Sequence, residues 1–312
     1  MAICKNCGKP LIVNKGKCIY CGEEVASSSQ DIPVEQPKSG IKKSRPIIQR
    51  RSFVNQGEQS PYSQYAGQSI IAGAKTDRYG NPQGSQYDLA KDGAFKGYKI
   101  AVLYLCHEGN MYYPTPALEK KGFTVSVLGP GDLNILCKEL NTDKCQLWIV
   151  SDRTCYLTTD CCNLIYDHFN RGRGLYIWSD NDPYYADSNI LLQTLFNSAM
   201  SGCYMGDQVL SIQSGEKCPG IIKNHPITTG IQNFYEGITI SNVKLTQDLK
   251  PLVYSSDGLV VTAYFNKEGK RALIDGGFTR LYCKWDSAGT DRFVMNCAAW
   301  LANIERFGYH PE

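Results

Sequence analysis

From residue 97 onward, short apolar runs alternate with segments whose apolar residues recur at three- and four-residue spacing. Lys99-Ile100-Ala101-Val102-Leu103-Tyr104-Leu105 reads as a buried strand ending at Cys106-His107-Glu108-Gly109. A helix is expected from Pro114 to Gly122, since proline is tolerated in a first turn whose N–H groups lack partners anyway. The pattern then gives a strand at 123–128, a helix at 133–140, a strand at 146–150 and a helix at 159–170 that stops at Gly172. Leu175-Tyr176-Ile177-Trp178 is a fourth strand, and it breaks sharply into Ser179-Asp180-Asn181-Asp182-Pro183. A helix follows, with Ile190, Leu191, Leu192, Leu195, Phe196 and Ala199 on its apolar side. Residues 258–265 and 271–275 pair as a hairpin across a Gly-containing loop. Phe293, Val294, Cys297, Ala298, Leu301 and Ile304 mark a closing helix. Strands and helices alternating over short connections predict an α/β domain. Its sheet is doubly wound and mostly parallel, with right-handed crossovers and a C-terminal β-hairpin.

Before residue 96 this pattern lapses. Gln, Ser, Gly and Pro dominate from Ala26, and Tyr62, Tyr65, Tyr79 and Tyr87 alternate with them at no apolar period. Such composition buries too little to offset chain entropy, so 26–95 is expected to be a flexible linker. About 70 residues of that kind span roughly 45 Å end to end. Lys42-Lys43-Ser44-Arg45 and Arg50-Arg51 form a basic cluster within it, read first as a solvated run and second as a docking motif.

Residues 1–25 carry a different signal. Cys4-Lys5-Asn6-Cys7-Gly8 and Cys18-Ile19-Tyr20-Cys21-Gly22 are two copies of one turn that aims both thiolates at a point. Two such turns make a tetrahedral S4 site, the geometry of structural Zn2+. The residues between them read as strand, Asn-Lys-Gly turn, strand. A segment this short needs the metal for its stability. It resembles the short zinc ribbons at the N-termini of many bacterial proteins. That resemblance implies one structural Zn2+ on Cys4, Cys7, Cys18 and Cys21, and a protein-binding role.

Composition narrows the setting. The chain has 312 residues, 14 cysteines and a formal net charge of +3. That charge is too slight to make nucleic acid an expected partner. Cysteines scattered beside apolar runs behave as small buried hydrophobes in a reducing compartment. There is no run of 18 apolar residues and no apolar signal region after Met1, so the expectation is a cytoplasmic protein without a membrane span.

The element order, the sharp turn after the fourth strand and the closing hairpin resemble the class I glutamine-amidotransferase-like superfamily over residues 97 to 305. That superfamily includes amidotransferases, DJ-1-type peptidases and inactive members. In its active members the turn is a nucleophile elbow, roughly G-x-C-x-G, with a histidine further along the chain. Here the turn reads Trp178-Ser179-Asp180-Asn181-Asp182, with neither cysteine nor flanking glycine. Asp180 and Asp182 would repel a developing oxyanion.

If the domain were active, the candidates are Ser179 or Cys106 with His225 as base, and Glu108 where DJ-1-like members carry an acid. His225 in Asn224-His225-Pro226-Ile227-Thr228 reads equally as a turn. Asp152, Asp180, Asn181, Asp182, Tyr184 and Arg280 are expected to line a cleft at the same edge. Its carboxylates serve either as turn and cap residues or, with Asp187 and Glu108, as oxygen ligands for Mg2+ or Ca2+. The expected architecture is a ribbon at 1–25, a linker at 26–95 and the α/β domain at 96–312. The expected function is non-catalytic protein interaction, with a hydrolase or amidase as the alternative.

Overall fold

The computed structural model describes residues 60–312 except Asp143, Lys284, Asp286 and Ser287, together with the backbone of Val13, Asn14, Lys17 and Cys18. The chain divides into two compact units, Met1–Val54 and Asn55–Glu312. In the first, β1 (Val13–Asn14) pairs antiparallel with β2 (Lys17–Cys18), Val13 opposite Cys18. This is the hairpin expected between the two C-x-x-C turns. Cys4, Cys7, Cys21 and the Cys18 side chain lie outside the described residues, as do positions 26–59 of the expected linker.

The second unit is built as its apolar pattern requires. Four parallel strands come first: β3 (Lys99–Tyr104), β4 (Thr124–Leu128), β5 (Cys145–Val150) and β6 (Leu175–Trp178). Helices α1 (Pro114–Lys120), α2 (Leu133–Leu140), α3 (Thr159–Asn170) and α4 (Ala186–Phe196) alternate with them. The chain then runs through β7 (Met200–Met205), β8 (Val209–Ser211), β9 (Gly220–Ile221), β10 (Asn233–Tyr235) and β11 (Thr239–Val243). Three longer strands close the sheet: β12 (Leu249–Tyr254), β13 (Val260–Lys267) and β14 (Lys270–Asp275). The eight-stranded order is β4-β3-β5-β6-β14-β13-β12-β9, parallel from β4 to β14 and antiparallel beyond it.

Strand periodicity splits the core in two. Ile100, Val102, Trp148, Tyr176 and Trp178 face α5 (Thr290–Leu301), while Ala101, Leu103, Leu147, Ile149 and Ile177 face α2, α3 and α4. Both faces are covered, so β5 and β6 are buried at every position. The closing helix is shorter than expected. It stops at Leu301 because Asn303 takes a left-handed φ of 53°, and Ile304 opens a separate short turn, α6 (Ile304–Phe307). No helix among the described residues is long and apolar enough to cross a membrane.

Residues 60–95 correct the linker expectation. They form a strap whose Leu89 and Phe95 are buried and whose polar groups are anchored along the domain. Asn81 Oδ1 accepts the N–H groups of Gln232 (2.7 Å) and Asn233 (2.9 Å). Leu89 N–H donates to Asn296 Oδ1 at 2.7 Å. Asp88 receives Lys121 Nζ at 2.7 Å and Arg292 Nε at 2.6 Å, and Lys121 also reaches Asp92 at 2.6 Å. Backbone acceptors and buried ion pairs hold the strap, and neither leaves an apolar period in the sequence.

Candidate functional site

Parallel strands deliver their loops to one edge. Tyr104, Val150, Trp178 and Asp275 pair in a single row, and the ladder runs one rung further through Leu105, Ser151 and Ser179. Ligands of open α/β sheets bind at this carboxyl edge, and most of the expected site residues lie there.

The turn after β6 is not an elbow. Ser179 is fully buried, and its hydroxyl donates to Ser188 Oγ at 2.6 Å. Its N–H donates to the Asp275 carbonyl at 2.9 Å, and its carbonyl accepts Phe278 N–H at 3.0 Å. None of residues 178–182 has a left-handed φ, so the turn lacks the conformation that projects a nucleophile. Ser151 Oγ accepts the N–H groups of Asp187 (3.1 Å) and Ser188 (3.2 Å), tying the first turn of α4 to β5. Ser179 therefore stitches strand to helix, and Trp178 stacks on Tyr176 beneath it at 4.5 Å.

Cys106 does not replace it. Burial raises its thiol to about 11, and the charges of Asp152, Glu108 and Asp180 add to the effect. It is therefore protonated at neutral pH, the opposite of an activated nucleophile. His225 is on neither group. Its Nδ1 accepts Ile227 N–H at 3.2 Å, capping the short helix Pro226–Thr228, and its ring packs on Tyr264 (4.5 Å) and Trp300 (5.4 Å). Trp300's carbonyl accepts Arg271, near the start of β14, whereas Ser179 bonds Asp275 at that strand's end. Four residues of strand, about 13 Å, separate the two ends. The expected pairing of His225 with Ser179 or Cys106 does not form.

Arg280 also departs from expectation. It lies fully buried under the turn and not on a cleft wall. Its guanidinium pairs with Asp275, donates to the Glu236 carbonyl at 2.5 Å and lies over the Phe234 ring at 4.7 Å. Nothing in the pattern of Phe278-Thr279-Arg280-Leu281 distinguished this from a surface arginine.

The remaining residues do reach the edge. Asp180 Oδ1 accepts Asn181 N–H (2.9 Å) and Thr239 Oγ1 (3.0 Å), and burial raises its carboxyl to about 6. Asn181 Nδ2 donates to the Asp182 carbonyl at 2.8 Å, and Asp182 Oδ1 accepts Tyr185 OH at 2.7 Å. Tyr184 is half-exposed, and the charge of Glu108 chiefly raises its phenol. Asp152 is 1 % exposed; one oxygen accepts Arg153 N–H at 2.8 Å, and the other has no hydrogen-bond partner. That second oxygen lies 3.6 Å from His107 Nε2, which also meets Tyr156 OH at 2.7 Å. Sequence reasoning put Asp152 at this edge but did not join it to His107 and Tyr156; the signal for that grouping was a histidine just past a strand end. Asp187 holds the N–H groups of Tyr156 and Leu157, each at 2.8 Å, instead of turning toward Asp180. Among the described residues no three His, Cys, Asp or Glu side chains converge as a metal site.

Buried histidines give a pH prediction. Burial lowers His168 to about 3 and His225 to about 4, against an ordinary value near 6.5. Both depressed groups contribute stability that is fully present above pH 6.5 and is lost as pH falls toward those values. Asp180, raised to about 6, acts in the opposite sense, stabilising at low pH and losing that contribution as pH rises through 6. Urea unfolding should show stability falling by about 2 kcal/mol per histidine between about pH 7 and 5, partly offset by Asp180. His168→Gln should flatten the slope; an unchanged slope would contradict the assignment.

No protein-family model matches the chain, and no curated protein matches it. Among solved structures, the chain is similar to the mmIFT52 N-terminal domain, with 9% identity and a TM-score of 0.49 over 65% of this chain and 96% of that one. It is similar to a cytoplasmic protein from Salmonella typhimurium, with 8% identity and a TM-score of 0.48 over 65% and 98% of the two chains. It is also similar to a protein from Thermoplasma acidophilum described as a GMP synthase subunit, with 10% identity and a TM-score of 0.45 over 68% and 98%. These are likenesses of backbone arrangement, and no activity passes from those proteins to this chain.

Proposed function

We propose that this chain is a non-catalytic interaction protein. In this reading, a zinc ribbon on Cys4, Cys7, Cys18 and Cys21 is joined to an amidotransferase-like domain without a nucleophile. The observation that carries it is the buried Ser179 hydroxyl, spent on Ser188 at 2.6 Å. The protonated Cys106 thiol and the distant His225 support it, because acyl transfer needs a nucleophile and a base within hydrogen-bond reach. The parallel run β4-β3-β5-β6-β14 supports the amidotransferase-like resemblance. Four thiolates leave zinc no open coordination position, which favours a structural or docking ribbon.

The test is covalent labelling of the full chain. A fluorophosphonate should leave Ser179 unmodified. Iodoacetamide should modify the exposed Cys137, Cys155, Cys203 and Cys283 well before Cys106. Fluorophosphonate labelling that disappears in Ser179→Ala would sink the reading. The ribbon is tested separately by metal analysis. About one equivalent of zinc is expected, with loss in Cys18→Ser; wild-type protein with well under one equivalent contradicts it.

A further inference from the structure

The amino ends of the parallel strands carry a cavity that neither the turn nor the ribbon uses. β3, β5 and β6 are neighbours in the sheet, and each begins beside it. Tyr98 precedes β3, Lys144 precedes β5, and Arg173 precedes β6 by two residues; all three line the cavity. Leu301 at the end of α5, with Phe307 and His310 of the C-terminal tail, lines it too. Its volume is about 380 Å³, which falls among small-molecule sites.

The walls are fixed by contacts of their own. A Cβ on Gly174 would meet the Leu301 carbonyl, so only glycine lets the entry to β6 touch the end of α5. The tail is pinned across the front of β3: Tyr309 OH donates to the Ala94 carbonyl at 2.5 Å, and His310 N–H donates to Tyr98 OH at 3.0 Å. Gly308 has φ 78°, and a Cβ there would lie 2.7 Å from His310 Nε2, so the imidazole folds back over this glycine. Gln146 is spent on the core: Nε2 donates to the Ala298 carbonyl at 3.0 Å, and Oε1 accepts Trp148 Nε1 at 2.9 Å. Burial raises the Cys145 thiol to about 11, so it stays neutral.

Two lining side chains keep their donors. Lys144 is half-buried, with its ammonium 5.5 Å from the centre of the Tyr98 ring. Among the described residues neither Lys144 Nζ nor the His310 ring nitrogens meet a hydrogen-bond acceptor. Glu139, the nearest described carboxylate before Lys144 in the chain, is paired with Lys99 at 3.2 Å. Arg173 lies over the Phe307 ring at 3.8 Å and has further contacts of its own, so it stiffens the wall and Lys144 is the anchor.

We infer that this cavity seats a small organic anion, a carboxylate or phosphate monoester carried on an apolar body. Lys144 supplies charge-assisted hydrogen bonds to the anionic head. His310 supplies a second donor from the tail. The apolar body rests on Tyr98, Ala302 and Phe307. The site lies at the opposite end of the strands from Ser179, and nothing in it depends on the non-catalytic reading.

The experiment titrates the full-length chain at about pH 7.5, where lysine is charged and the probe anions are ionised. The probes are benzoate, phenyl phosphate, the uncharged benzamide and inorganic phosphate. NMR shifts should concentrate at residues 144–146, 173–174 and 301–310. Saturable binding of benzoate or phenyl phosphate is expected, at least tenfold tighter than benzamide. The tighter of the two assigns the head as carboxylate or phosphate ester. Lys144→Met should raise Kd about tenfold. Lys250→Met, an exposed position on β12, should leave it unchanged. Failure of both anions to saturate, benzamide binding as tightly as benzoate, or an unchanged Kd in Lys144→Met overturns the site. An equal loss in Lys250→Met, or inorganic phosphate binding as tightly as phenyl phosphate, would show that charge alone is read and overturns it as well. Ser179 labelling would overturn the non-catalytic reading and leave this titration standing.

Discussion

Asp88→Ala is expected to lower the stability of the α/β unit by about 3–5 kcal/mol, the cost of leaving buried charge without its partner. Asp88 bridges two cations from different parts of the chain, Lys121 at 2.7 Å and Arg292 at 2.6 Å. Lys121 is fully buried, so water cannot replace the carboxylate. Its second partner, Asp92, has a side chain 38 % exposed. Asp92→Ala should therefore cost only about 1 kcal/mol, since solvent can reach the gap. Urea unfolding of the two variants makes the comparison. A loss for Asp88→Ala no larger than for Asp92→Ala would show that the strap is not held through this carboxylate.

Asp275→Ala should cost a similar amount for a related reason. The Asp275–Arg280 pair has no exposure on either side chain. Asp275 Oδ2 also accepts Tyr176 OH (3.2 Å) and Thr262 Oγ1 (3.1 Å), and Oδ1 accepts Gly277 N–H (3.0 Å). Removing the carboxylate strands a guanidinium beneath the turn that holds Ser179. The single change should cost about 3–5 kcal/mol, and adding Arg280→Met to it should recover part of the loss. If the double variant is as unstable as the sum of the two singles, the groups do not act as a pair.

These two networks mark the limit of what the sequence discloses. β3, β5, β6 and α3 were legible to within a residue or two, because an apolar run or a 3.6-residue period is written directly in neighbouring positions; α4 stops at Phe196, short of Ala199, because Asn197 turns left-handed. The strap was not. Asp88 and Arg292 look like solvated charges until the fold brings them together, and Gln-, Gly- and Ser-rich composition conceals backbone groups that find acceptors far away. Arg280 failed for the same reason: an arginine beside aromatics reads as surface unless its carboxylate is known.

The edge residues Asp152, Asp180, Asn181, Asp182 and Tyr184 follow the ends of β5 and β6, and strand ends are what locate such loops. What each side chain does there was not legible. Ser179 was named as the corner of a possible active site. Its partner Ser188, nine residues on, is what commits it to structure.

The strap also has a consequence for the order in which the chain acquires its structure. Asp88 and Arg292 are 204 residues apart, and Leu89 and Asn296 are 207. Both distant partners belong to α5, which a ribosome makes some 200 residues later. Residues 60–95 are thus among the first of this unit to emerge and among the last to find their seats. Contacts of such long range slow folding, and apolar β3 stays incompletely covered until α5 has been made.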